Sequence, residues 1–205
     1  MYLLFLLIAI VLFLYGSWKA LKEDFASQEV LGFTWQLILG MILISRIAGG
    51  DWKDGPWWQI LAIWNPMKVN YFVGLLGGVL ISAFFAKQKK WKLWVLLEDI
   101  SASFLIFLLI MYLGQIFQFY SIILLSRILI LITGLFLASY WMKKYRSFIW
   151  YRSGKKGFVF FALCTVLFFL MALSSFFLNN GQIMSYLYLF VSLLSGGGLY
   201  ILGKV

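Results

Sequence analysis

No histidine occurs in this chain, and only one cysteine. Without histidine, the commonest general base and the commonest metal ligand near neutral pH are both missing. With Cys164 alone, in the middle of an apolar run, neither a disulfide framework nor a paired-cysteine metal or redox motif is possible. Charge is scarce as well. Asp, Glu, Lys and Arg make up 12% of the residues, against about a quarter in soluble domains. Water is thereby excluded as the main surroundings. What fills the sequence is apolar: 64% hydrophobic residues and a mean hydropathy of +0.97.

Its 205 residues leave room for roughly six to eight spans of about 20 residues and for little else. One membrane domain, residues 1–205, is expected, as an all-α bundle. Apolar runs predict spans at 2–17, 30–48, 69–86, 93–118, 120–142, 157–178 and 183–203. The first has no basic residue ahead of it and no small-residue cleavage site, and Lys19 and Lys22 follow it. It reads as a retained helix and not as a signal peptide.

The net charge of +10 would suggest nucleic acid in a soluble protein. Here the basic residues sit in short runs between apolar stretches, so they report topology, and no nucleic-acid partner is expected. Lys19 and Lys22 follow span one, and Lys87, Lys89, Lys90 and Lys92 follow span three. Lys143, Lys144, Arg146, Arg152, Lys155 and Lys156 follow span five, and Lys204 closes the chain. Thirteen of the 17 basic residues therefore share one face, while Lys53 and Lys68 lie on the other. The positive-inside rule makes the first face cytoplasmic, with the N-terminus outside and the C-terminus inside. In the long outer connection, WWQILAIW (57–64) is too short to span. Its tryptophans suit a helix lying in the interface or a loop against the protein. Gly77–Gly78 and Gly196–Gly197 lie inside spans, where they favour close helix packing.

Ionisable groups in hydrocarbon cost at least ~2.5–3.5 kcal/mol on insertion scales and are treated as functional by default. Arg46 falls within a turn of the outer end of span two. Arg127 falls roughly 10–12 Å below the outer surface in span five, at 1.5 Å per residue. Asn70, Tyr71, Tyr112, Gln115, Gln118, Ser174 and Ser175 are expected at the same level. Two guanidiniums at headgroup depth suit a phospholipid phosphate, whose oxygens accept paired hydrogen bonds from the planar fork. The alternative is snorkelling of Arg46 and pairing of Arg127 with carbonyls. Glu98 and Asp99, near the cytoplasmic end of span four, point about 100° apart on a helix and so form no facing acid–base pair. They read as rim ion pairs or as acidic residues favoured at a helix start, with a proton or cation path as the alternative.

The order of motifs resembles prolipoprotein diacylglyceryl transferase, which moves diacylglyceryl from phosphatidylglycerol to a lipoprotein cysteine in the bacterial cytoplasmic membrane. GMILISRIAGG (40–50) is similar to the family segment ending in Gly-Ala-Arg-Leu-Gly, with Arg46 on its arginine. ILAIW (60–64) matches the interfacial stretch before span three, and GLLGGVLISAFFAKQKK (74–90) matches the Gly-Gly-Leu-Ile-Gly-Gly helix with its basic turn. WVLLEDISA (94–102) is similar to Leu-Leu-Asp-Leu-Ile-Ala-Pro, with Glu98 on the acidic position. LGQIFQF (113–119) falls on the Gly-Arg-Ile-Gly-Asn-Phe signature, and NNGQIMSYLYL (179–189) resembles the Ser-Met-Gly-Gln opening of the last span. Seven spans with an outer N-terminus also agree with the family.

The resemblance implies diacylglyceryl transfer to a lipobox thiol, phosphatidylglycerol and a lipoprotein precursor as partners, and no cofactor. The departures concern its chemistry. Phe72, Val73 and Gly74 stand where the family has His-Gly-Gly, and Tyr112 and Gln115 replace the arginine and asparagine of the signature. No arginine follows Arg152, although span six of the family carries one, and the extracytoplasmic head insertion is missing at Phe119–Tyr120. On the residues alone, the expectation is a non-catalytic relative that binds phospholipid or serves as a membrane assembly partner. A small transporter using Glu98 and Asp99 is the third reading.

Overall fold

The computed structural model describes residues 2–49, 69–148, 151, 155–178 and 182–204. The described residues are mostly helical and contain no strand, and seven of the helices are long and apolar enough to cross a membrane. They are α1 (Tyr2–Leu21), α2 (Ser27–Gly49), α3 (Tyr71–Lys89), α4 (Leu93–Ile116), α5 (Ile122–Lys144), α6 (Phe158–Phe177) and α7 (Gln182–Gly203). The protein is a multi-pass membrane protein, as composition required. The expected interfacial stretch at 57–64 lies outside the described residues.

Apolar side chains cover the outside as fully as the inside. Leu80, Phe84, Phe136 and Leu193 are each about 70% exposed, which in water would be a large penalty and in lipid is none. The helices therefore lack a strongly apolar stripe, and packing detail decides which face turns inward. α4 is the centre, with thirteen of its 24 residues buried. It packs against α1, α3, α5 and α6, while α2 joins α3 to α1, and α7 leans mainly on α6.

Small residues set the closest approaches. A Cβ on Gly74 would lie 2.7 Å from the Ser45 Cβ, one on Gly77 2.6 Å from Ile44, and one on Gly78 2.7 Å from the Met41 sulfur, so α3 rides directly on α2. The other glycine pair behaves differently. Gly196 is loosely packed and Gly197 faces open space, whereas Gly198 takes the ring of Phe161. Both α3 and α7 run unbroken through their glycines.

Helix ends run a turn past several expected limits. α1 continues through Lys19 to Leu21 because lysine and tryptophan keep helical backbone while their polar ends reach the interface. α3 begins at Asn70, whose side chain accepts the Val73 N–H at 3.2 Å. α6 starts after Gly157, which has φ +115° and no side chain to cap the helix. The missing cap comes from α4. The Glu98 carboxylate, 5% exposed, accepts the N–H groups of Gly157 and Val159 at 2.6 and 3.1 Å.

Candidate functional site

The polar layer expected at the outer ends of the helices assembles around tyrosines. Tyr71, in the first turn of α3, packs its ring 5.0 Å from that of Tyr112 on α4, the two planes tilted by 58°. On one side the Tyr71 hydroxyl lies 3.4 Å from the hydroxyl of Tyr2, at the start of α1. On the other side the Arg127 guanidinium of α5 lies 5.6 Å from the centroid of the Tyr112 ring. Tyr188 of α7 is within electrostatic reach of the same arginine. Five helices thus deliver one residue each to a single layer.

Arg46 and Arg127 sit on opposite sides of that layer. Arg46, 3% exposed, occupies the last turn of α2, where the helix dipole favours a cation. It lines a small cavity of about 30 Å³ together with Tyr2, Ser45, Tyr71 and Gly74. That volume admits a water or a hydroxyl but not a phosphate. Arg127 is half-buried. The tyrosine ring returns part of its insertion cost, ~0.5–2 kcal/mol for a guanidinium over an aromatic face. Its planar fork carries five N–H donors. The two arginines do not grip one point. A tyrosine pair stands between them.

A larger cavity of about 100 Å³ lies under the tyrosines. Its wall includes Tyr71, Leu75 and Ser82 of α3, Leu97 to Tyr112 of α4, Cys164 and Leu167 of α6, and Tyr188. Its lining residues on α4 run from Leu97 to Tyr112, so the space is a slot alongside that helix. The lining is apolar apart from the tyrosine hydroxyls at the outer end and Ser82 and Ser101 deeper down. Phe72, Phe168 and Tyr188 close its outer side between α3, α6 and α7, with ring centroids 5.3–6.0 Å apart.

Of the expected site residues, Tyr71 and Tyr112 come together with Arg46 on one side and Arg127 on the other, and Gln115 is buried one turn beyond Tyr112 on α4. Asn70 is adjacent but its side chain caps α3. Gln118 is exposed in the turn after α4, and the Ser174 hydroxyl bonds back to the Met171 carbonyl of its own helix. Tyr2 and Tyr188 were not expected in the site. Their only signal in the sequence is a tyrosine near the outer end of an apolar run.

At the end of the bundle opposite the tyrosines, Glu98 and Asp24 have hydrogen-bond partners, while the buried Asp99 Oδ2 accepts none. Glu98 caps α6, and Asp99 lies 3.8 Å from Lys156, which also holds Asp24 at 2.5 Å. The lysine hydrogen bond keeps the Asp24 carboxyl below its ordinary value. Burial alone would lower Lys156, but Asp24 and Asp99 outweigh it and raise the ammonium above its ordinary value. These groups tie α4 to the connections before α2 and α6. Among the described residues no cluster of three metal-ligating side chains occurs. No family model, curated protein or solved structure matches this chain.

Proposed function

We propose that this chain is a prolipoprotein diacylglyceryl transferase-like membrane protein that binds an anionic phospholipid of the phosphatidylglycerol kind, headgroup at Arg127 and hydrocarbon in the slot below. The observation that carries the reading is a layer of tyrosines at the outer end of an apolar slot, with a half-buried arginine beside the Tyr112 ring. A phosphate at Arg127 would take charge-assisted bonds from the guanidinium fork. Arg46 adds a second positive charge to the layer without touching the same oxygens. At about 100 Å³ the slot has room for a short stretch of one acyl chain and not for a whole lipid.

The geometry supports the binding half of the family reaction better than the transfer half. Transfer requires the lipobox thiol to lose its proton and attack the glyceryl carbon while glycerol phosphate leaves. Arg127 is placed to steady the leaving phosphate. For the base, the layer offers tyrosine hydroxyls, which ordinarily titrate near pH 10, and a base contributes ~10²–10⁴-fold. Binding to phospholipid, in a bacterial cytoplasmic membrane, is therefore the activity we assign first, with a lipoprotein precursor as the partner if transfer occurs. Of the two carboxylates a transporter would use, Glu98 caps α6, and Asp99 lies 3.8 Å from a lysine held more closely by Asp24.

Titration of the purified protein with phosphatidylglycerol and phosphatidylcholine, read by native mass spectrometry, tests the reading. Arg127→Gln is expected to weaken phosphatidylglycerol binding roughly 10–100-fold, the loss of one charge-assisted contact of ~1.5–3 kcal/mol, and to leave phosphatidylcholine unchanged. Equal affinity of wild type and variant for phosphatidylglycerol would remove the site. A lipobox peptide added to the same mixture reports transfer: a thioether-linked product establishes catalysis.

A further inference from the structure

Three helices that end at the cytoplasmic face finish in the same way. Lys22 stacks its ammonium 4.7 Å from the Trp18 ring, Lys144 5.2 Å from Tyr140, and Lys204 4.6 Å from Tyr200. Each pair is spaced i, i+4, which puts both side chains on one face about one turn apart. The backbone keeps that geometry at the ends of α1 and α7, where the Lys22 and Lys204 N–H groups still bond to the carbonyls of Trp18 and Tyr200.

On α5 and α7 the face concerned is the lipid-facing one, whereas Trp18 is half-buried against the core and carries an exposed Lys22 at the rim. On α5 the exposed residues Leu129, Phe136 and Tyr140 lead to Lys144, and on α7 Phe190, Leu193 and Tyr200 lead to Lys204. Apolar side chain, aromatic ring and cation follow one another in the order hydrocarbon, interface and phosphate across half a bilayer. A soluble acidic protein or a nucleic acid would meet the end of the bundle and not its flank. The three pairs also sit on different helices, packed mainly on α4, on α4 and α6, and on α6, so they form a ring of separate points and not one patch.

We infer that these aromatic–lysine pairs are contact sites for anionic phospholipid headgroups of the cytoplasmic leaflet, one at each of the three helix ends. The ring seats at the headgroup boundary and holds the ammonium at phosphate level, which selects anionic over zwitterionic lipid. The sites lie at the opposite end of the bundle from Arg127 and stand or fall separately from it.

The test uses the full chain reconstituted in phosphatidylcholine, with spin-labelled phosphatidylglycerol or phosphatidylcholine as the probe for protein-associated lipid. Wild type is expected to prefer the anionic label, with the preference weakened by salt. The combined Lys22→Gln, Lys144→Gln and Lys204→Gln variant is expected to lose most of it, roughly fivefold at each site. The matching Arg variant keeps the charge and is expected to retain it. Arg127→Gln is expected to leave this perimeter preference in place, which separates the two lipid sites. Should the triple Gln protein not assemble, the single Gln variants are read individually and each is expected to lower the preference. Selectivity equal to wild type in the Gln variants would overturn the inference.

Discussion

Replacing Glu98 should loosen the protein at a point 59 residues away in sequence, the start of α6. Its carboxylate takes two N–H groups, at 2.6 and 3.1 Å, that no side chain of Gly157 can serve. Hydrogen bonds to a charged group are worth ~1.5–3 kcal/mol each, and the exposed end of a helix dipole adds ~0.3–1 kcal/mol. Glu98→Ala leaves both N–H groups buried without an acceptor, so unfolding in mixed micelles should become easier by about 3–5 kcal/mol. Glu98→Gln keeps one acceptor oxygen and loses the charge, for about 1–2 kcal/mol. Amide exchange at Val159 should accelerate in the same order. If Glu98→Ala lies within about 0.5 kcal/mol of wild type, or if exchange at Val159 is unaltered, the cap contributes nothing and the reasoning fails.

Two further predictions concern packing and pH. Gly74→Ala pushes a methyl to 2.7 Å from the Ser45 Cβ and 3.2 Å from the Met41 carbonyl oxygen. It should cost about 1–3 kcal/mol in the same unfolding assay, whereas Gly197→Ala, with open space beside it, should be neutral or slightly stabilising. Equal effects would mean that α3 does not rest on α2 as described. The Asp24–Lys156 pair should contribute less than about 1 kcal/mol, since both side chains are part-exposed. Because Asp24 is lowered, its share is present above the unfolded value near 3.9 and lost as pH falls through the folded one. Because Lys156 is raised, its share is present below about 10.4 and lost as pH rises through the folded value. The stability difference between wild type and Asp24→Asn should therefore shrink below the lower limit and above the upper one; a difference that grows on acidification below the lower limit contradicts the pair.

How much of this was legible in the sequence depends on what each residue costs where it sits. Seven spans could be counted because hydrocarbon demands unbroken apolar length. Arg46 and Arg127 stood out for the same reason, as charges where charge is expensive. Their relation was hidden. Helices that are apolar all round carry no periodic signal for the inward face, so nothing in the sequence said that Tyr2 of α1 would meet Tyr71 of α3, or that tyrosines would part the two arginines. Glu98 was recognisable as an acidic residue that could serve a helix start, but the helix is α6 and not its own, because the glycine that leaves the N-terminus of α6 uncapped is brought to it by folding. The glycine pairs show the same limit. Gly77–Gly78 packs tightly and Gly197 does not, although both pairs look alike in an apolar run.

The central claim is that hydrocarbon of an anionic phospholipid enters the slot beneath the Tyr71–Tyr112 layer. Phosphatidylglycerol carrying a photoactivatable group in its acyl chain, crosslinked in membranes and mapped by peptide mass spectrometry, tests it most directly. Adducts are expected on slot residues such as Leu75, Leu108, Cys164 and Leu167, and should fall away in Arg127→Gln. Adducts confined to lipid-facing residues such as Leu80, Phe136 and Leu193, in wild type and variant alike, would contradict it.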